Sequence, residues 1–151
     1  MCAFRLSSGL VNAMQGTAGD NFRALMNGGW LDLFTGSQPI SADYVETGAK
    51  LCRVSSTCGT GVADGLQFGT AASGILPIGG PAWQGTVGTA GVIGWGRFYS
   101  SSGTAGSSVA DLRFDVAVAA VSGGDLNLTH TDVAVGSTVT ITSGSFTQPK
   151  E

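Results

Sequence analysis

The sequence predicts a mainly β protein, an antiparallel β-sandwich of the jelly-roll or Ig-like kind with a short helical segment at its N-terminus. Three observations lead to this fold. Short apolar segments with a two-residue period recur after residue 29, glycine and serine separate them, and glycine reaches 25 of 151 residues. Short strands punctuated in this way are typical of sandwiches and barrels.

The first 28 residues follow a helical pattern instead. Ser8 is predicted to cap a first short helix that runs to Met14, and Asp20 is predicted to cap a second. The apolar residues of the two helices fall on one face each: Leu10, Val11 and Met14 in the first, and Phe22, Leu25 and Met26 in the second. Gly28 and Gly29 end the second helix, because glycine adopts the left-handed conformation at little cost. We therefore predict a helical N-terminal segment over residues 1–28 and a β-sandwich domain over residues 29–151.

The strands are predicted by alternation of apolar and polar residues. The clearest candidates are residues 30–35, 49–55, 92–100, 110–121, 125–133 and 137–147. The segment 57–91 is rich in glycine, and only two short strands are predicted there, near 66–68 and 75–78. On the strand over 110–121, Asp111, Arg113 and Asp115 share one face, which predicts a solvated row of alternating charge.

Composition excludes several classes of function. The formal net charge is −3, and only 11% of the residues are charged. Seven Lys and Arg residues against ten acids leave no basic patch for nucleic acid. No uninterrupted apolar run is long enough to span a membrane, and residues 1–10 lack the apolar stretch of a secretory signal. We expect no nucleic-acid partner and no membrane partner.

The three cysteines, Cys2, Cys52 and Cys58, give no disulfide framework. Cys52 and Cys58 could pair if the chain turned between them, and this possibility stays open. The favoured interpretation is that all three are small apolar residues of a protein made in a reducing cytosol.

No group of residues predicts catalysis. His130, the single histidine, could act with Asp132 as a base or metal ligand, but a strand-end histidine bonded to a neighbour is the favoured interpretation, because no second imidazole exists to complete a site. Asp111 and Asp115 would lie roughly 13 Å apart along the strand, too far for a glycosidase pair. The run Gly59–Gly65 misses the spacing of a phosphate-binding loop. We therefore predict no enzyme, no metal and no cofactor.

The aromatic residues offer the other indication of function. Trp83 lies in a predicted loop, Gly-Gly-Pro-Ala-Trp-Gln-Gly, and is the best candidate for an exposed contact residue. Trp95 and Tyr99 share one strand face, although core packing explains Trp30 and Trp95 equally well. A carbohydrate-binding module would need an exposed platform such as Trp83 with Tyr99.

Two stretches resemble a known family. They are Leu31–Gly48, which reads LDLFTGSQPISADYVETG, and the alternating segment from Asp125-Leu126-Asn127-Leu128 through Val139-Thr140-Ile141-Thr142. Together they resemble small virion structural proteins of tailed bacteriophages, in which a short N-terminal helix leads to a strand, a "TGSQP…AD…ETG" loop and C-terminal alternating strands. The resemblance implies a structural role in the virion and no catalytic residues.

The sequence thus predicts a non-enzymatic virion protein, made in the bacterial host cytoplasm, that decorates or cements the capsid. Its expected partners are the major capsid protein or other virion proteins, and copies of itself. The candidate contact residues are Phe4, Leu10 and Met14 from a possible docking arm, and Trp83. One alternative is a tail, baseplate or fibre-attachment component of the virion. Another, of a different class, is a carbohydrate-binding module that recognises a host surface glycan.

Overall fold

Short strands dominate the part of the chain that the computed structural model describes, residues 4–16, 21–57 and 64–147. Two helices are present there, α1 (Ser8–Met14) and α2 (Phe22–Met26). The strands are β1 (Arg5–Leu6), β2 (Trp30–Thr35), β3 (Lys50–Val54), β4 (Gln67–Phe68), β5 (Ile75–Gly79), β6 (Trp83–Thr86), β7 (Gly91–Tyr99), β8 (Arg113–Ala120), β9 (Leu126–Leu128), β10 (Asp132–Val133), β11 (Thr138–Ile141) and β12 (Ser145–Thr147). The predicted mainly β fold with short N-terminal helices is confirmed, and a jelly-roll or Ig-like sandwich stays a prediction.

The main sheet has the strand order β1-β8-β7-β2-β3, all antiparallel. Strand β10 pairs with the first two residues of β7, and β9 pairs in parallel with the last three residues of β8. Two smaller antiparallel sheets, β11-β6 and β12-β5-β4, accompany it. Two isolated β-bridges, Cys52↔Val87 and Ser55↔Gln84, connect the region of β3 with that of β6. Strand pairing therefore continues from the main sheet into β6 and β11.

The core lies against one face of the main sheet. That face contributes Leu31, Leu33, Phe98, Phe114 and Val116, all almost fully buried. The smaller sheets contribute rings that pack against them: Phe68, Trp83 and Phe146. Because these rings pack against the main sheet, the three sheets share one hydrophobic core. Burial of each such side chain contributes about 1.5–3 kcal/mol to stability.

The N-terminal segment is part of this core. Strand β1 pairs with β8, and the Phe4 ring lies 5.0 Å from the Phe114 ring. Helix α1 is capped by Ser7, whose hydroxyl accepts from the Leu10 N–H, and not by the predicted cap Ser8, which is the first residue of the helix. Helix α2 is capped by Asn21, and the predicted cap Asp20 lies outside the described residues.

Two strands were not predicted: β1, within the segment expected to be helical, and β6. Trp83 was expected in a loop, but it begins β6, which pairs with β11 over its whole length. Glycine and proline nearby favoured a loop, yet Gly85 serves the strand: a Cβ there would lie 2.4 Å from the Arg53 carbonyl oxygen. The missing side chain lets β6 approach β3 closely.

Candidate interaction surface

A single row of alternating charge crosses the main sheet on the face opposite the core. The pairing register sets five charged residues side by side, in strand order Arg5, Asp115, Arg97, Asp32 and Arg53. Directly opposite residues of antiparallel strands point to the same face. Each charge within the row therefore lies beside charges of opposite sign, and the row predicted along β8 meets this one only at Asp115.

The expectation that this face of β8 is solvated is wrong. Arg97, Arg113 and Asp115 have no accessible surface, and Asp32 is 2% exposed. The β2–β3 loop (residues 36–49) and the β7–β8 loop (residues 100–112) supply carbonyl oxygens to these arginines and so lie over the sheet. Burial of a charge costs several kcal/mol unless that charge is paired.

Arg97 and Asp115 form a two-point ion pair at the centre of the row. The Arg97 Nε–Asp115 Oδ1 distance is 2.6 Å and the Nη2–Oδ2 distance is 2.8 Å. Burial raises the pKa of the Asp115 carboxyl above its usual value, although the hydrogen bonds from Arg97 oppose that rise. Arg97 Nη1 also donates to the Tyr44 carbonyl oxygen at 2.7 Å, which attaches the β2–β3 loop to the sheet.

Arg113 attaches both loops at once. Its Nη1 donates to the carbonyl oxygens of Gly106 (2.6 Å) and Thr104 (3.3 Å) in the β7–β8 loop. Its Nη2 donates to those of Asp43 and Ser108, both at 3.0 Å. A planar guanidinium with several donors suits this arrangement, so one buried side chain fixes where the two loops meet.

Glu46 of the β2–β3 loop joins the hydrogen-bond network around Arg97. Its carboxylate accepts from the Tyr99 hydroxyl at 2.6 Å, from the Gly106 N–H at 3.0 Å and from Arg97 Nη1 at 3.1 Å. Burial alone would raise the pKa of Glu46, but these hydrogen bonds and the Arg97 charge together lower it. Burial and the Glu46 carboxylate raise the pKa of Tyr99. The loop therefore bears a carboxylate that stays ionised at neutral pH.

Replacing Glu46 by glutamine is expected to lower the free energy of unfolding by about 2 kcal/mol at neutral pH, since an amide cannot accept at both ends. The loss should shrink in acid. A carboxylate whose pKa is lower in the folded chain stabilises the fold fully above its ordinary pKa, and this contribution is lost as pH falls through the folded value. Urea denaturation of both proteins across a pH series measures the difference.

The exposed carboxylate of Asp132 on β10 supplies the control for this series. Asp132→Asn is expected to change the free energy of unfolding by less than about 0.5 kcal/mol at every pH. A Glu46→Gln loss that stayed constant down to acid pH would show that the charge of Glu46 is unimportant.

The end of the charge row on β3 is exposed to solvent. Arg53 bonds both Asp32 oxygens, at 2.7 and 2.9 Å, and Lys50 Nζ lies 3.0 Å from Asp32 Oδ2. The Arg53 guanidinium also stacks 4.5 Å above the Trp30 ring. Its side chain is 36% exposed, so this end of the row is hydrated while the centre is dry.

The two loops carry exposed apolar side chains. Eight large apolar residues are exposed among the described residues, and four of them belong to these loops: Ile40, Tyr44, Val45 and Val109. We call these four the loop surface. The two loops meet next to Tyr44 and Val109, where the Ser108 N–H donates to the Asp43 carbonyl oxygen at 2.9 Å. A fixed apolar surface on otherwise polar loops is a candidate for contact with another protein.

The predicted aromatic platform is wrong. Trp83 has no accessible surface and Tyr99 is 1% exposed. Trp83 packs among Phe68 and Phe98 on the core side, whereas Tyr99 is covered by Glu46 and stacks on Trp30 on the opposite face. The two rings therefore cannot form one surface for a sugar.

The predicted docking arm also needs correction. Leu10 is fully buried, so it offers a partner nothing in the folded chain. Phe4 and Met14 are half-buried and pack against the core. The segment covers one side of the core, because β1 pairs with β8 and the Phe4 ring packs against the Phe114 ring of β8.

No catalytic arrangement emerges where the structure describes the chain. His130 and Asp132 are both exposed. Among the described residues, no group of three or more His, Cys, Asp or Glu could hold a metal ion. No helix in this part of the chain has the length and apolarity needed to cross a membrane. Cys52 is buried in β3, while Cys2 and Cys58 lie outside the described residues, so their pairing stays untested.

No known protein family, no curated protein and no solved structure matches the chain. The resemblance to phage virion proteins therefore stays a prediction. Function has to be inferred from the geometry of the described residues together with that resemblance.

Proposed function

We propose that the protein is a non-enzymatic structural subunit of a bacteriophage virion, most specifically a capsid decoration or cement protein. It would bind across neighbouring subunits of the shell through the loop surface. The occupied shell is then the more stable one, because a protein that binds only the assembled state shifts the equilibrium towards it. The virion setting rests on the sequence resemblance, and the mode of contact rests on the geometry.

The observation that carries the proposal is the way the loop surface is built. Its side chains are exposed, with Ile40 at 80% and Val109 at 69%, yet the loops beneath them are attached to buried Arg97 and Arg113. Loops fixed before binding lose little conformational entropy on binding. A rigid apolar surface is suited to repeated docking on a lattice.

The titratable groups also favour a structural role over catalysis. Arg97, Asp115 and Glu46 are bonded to one another. An active site needs groups that face a cleft and can exchange protons with a substrate. In this network the charges serve to hold loops on a sheet.

The runner-up location is the tail, the baseplate or a fibre-attachment point of the same virion. The loop surface would serve there equally well. Copy number separates the two, because a decoration protein is present in hundreds of copies per particle and a tail-tip protein in few.

Adding charge to the loop surface tests the proposal. Particles assembled without the protein are incubated with purified wild type, Ile40→Asp or Val109→Asp, and the bound copies are counted by quantitative mass spectrometry. We expect the affinity of each variant for the particle to fall about tenfold or more, because each buries an unpaired carboxylate at the contact.

The matched control is Val121→Asp. Val121 is 80% exposed, as is Ile40, but it follows β8 and lies outside the two loops. Its variant is expected to bind as the wild type does. Wild-type binding by Ile40→Asp and Val109→Asp, or an equal loss by Val121→Asp, would refute the loop surface as the contact.

A further inference from the structure

Strand β11 presents an open edge. It pairs with β6 along its whole length, from Thr138↔Thr86 to Ile141↔Trp83. No other strand among the described residues pairs with β11. The opposite edge of β6 faces β3, since Gln84 and Ser55 exchange backbone hydrogen bonds of 2.7 and 2.8 Å. Strand β11 is therefore the last strand on this side.

The register shows which backbone groups face outward. The Val87 N–H donates to the Ser137 carbonyl oxygen at 2.9 Å, which makes 137 and 87 a hydrogen-bonded pair. Such pairs alternate along an antiparallel ladder, so Val139 and Ile141 direct their N–H and C=O groups towards β6. Thr138 and Thr140 direct theirs away from the protein.

This edge lacks the usual protection against pairing. Exposed edges in natural proteins are commonly blocked by a charge, a proline or a covering segment. No charged residue occurs between Asp132 and Lys150, and the single proline in that stretch is Pro149. The side chains of Thr138, Thr140 and Thr142 are exposed. Another extended chain can therefore approach.

The edge is also self-complementary. Residues 138–142 read Thr-Val-Thr-Ile-Thr, which is almost the same in both directions. In an antiparallel pair centred on Thr140, that residue meets its own copy and Thr138 meets Thr142. Val139 then lies opposite Ile141. Cross-strand Thr–Thr and β-branched pairs are both favourable.

We propose that two copies of the chain associate by antiparallel pairing of their β11 edges about Thr140, joining β6-β11 of one copy to β11-β6 of the other. The interface is short, so the dimer is weak and forms at high protein concentration. In an assembly that already holds many copies close together, the same contact gains from a high effective concentration.

Two substitutions at residue 140 test the proposal. Thr140→Lys sets like charges opposite each other at the centre of the pair. Thr140→Pro removes an outward N–H that the fold does not use, which proline tolerates on an edge strand. Sedimentation equilibrium over a concentration series is expected to show a monomer–dimer equilibrium for the wild type and an association at least about tenfold weaker for both variants.

Thr147→Lys is the matched control, because Thr147 is an exposed threonine on β12. It is expected to associate as the wild type does, and circular dichroism checks that all variants fold. A wild type that stays monomeric at every concentration overturns the proposal, as does undiminished association of the Thr140 variants or an equal loss in Thr147→Lys. None of these results bears on the loop surface, which is tested by particle binding.

Discussion

Asp115→Asn is expected to destabilise the protein by about 3–5 kcal/mol. Asparagine keeps the shape of the side chain but removes the charge that Arg97 needs. Both groups have no accessible surface, so water cannot replace the lost partner. The amide also brings donors towards a guanidinium that has only donors. Urea denaturation at neutral pH, followed by tryptophan fluorescence, measures the effect.

Asp111→Asn is the control for this change. Asp111 is half-buried and accepts from the Thr104 hydroxyl at 2.6 Å, a bond to a neutral partner that an amide oxygen can also accept. Its loss is expected to be about 1 kcal/mol or less. Equal losses for the two variants would mean that the centre of the charge row is hydrated and that the loops are not held by buried charges.

Trp83→Ala is expected to lower the free energy of unfolding by about 3–5 kcal/mol, the usual cost of removing a large aromatic side chain from a core. Trp83 has no accessible surface, and its ring centroid lies 5.4 Å from that of Phe68. The cavity would open at the junction of the smaller sheets with the main sheet. Thermal and urea denaturation both measure the loss.

The exposed aromatic Tyr44 provides the comparison, being 52% exposed on the loop surface. Tyr44→Ala is expected to change stability by less than about 0.5 kcal/mol. A small loss for Trp83→Ala, similar to that for Tyr44→Ala, would contradict the core position of Trp83.

Local periodicity predicted those strands whose pattern is set by one buried face. Strand β2 runs from Trp30 to Thr35 as expected, and β7 and β8 lie within one to three residues of their predicted bounds. The polar segment 41–48 between β2 and β3 is a loop, also as expected. In each case adjacent residues carry the information, because side chains alternate between two faces.

Prediction failed where distant residues decide the outcome. Gly85 favours a turn locally, yet it lies in β6 and pairs with Val139. Tertiary pairing overrides propensity at such sites. The alternation on β8 likewise showed that Arg113 and Asp115 share a face, but it could not show that two loops would cover them.

The candidate site was missed for the same reason. Arg97 and Glu46 are separated by 51 positions along the chain, and no spacing rule links a loop carboxylate to a strand arginine so far away. The one available indication was the occurrence of Tyr44 and Val45 within a polar loop. Exposed apolar residues that group together are candidates for contact with another protein.

We propose that this protein covers a viral shell through its loop surface. Electron cryomicroscopy of particles purified from cells that produce the protein tests it most directly. We expect density for the chain at regularly repeated positions over the capsid lattice, with Ile40 and Val109 against the shell. Particles that lack the chain altogether, or that bear it with these two loops turned to solvent, would contradict the proposed function.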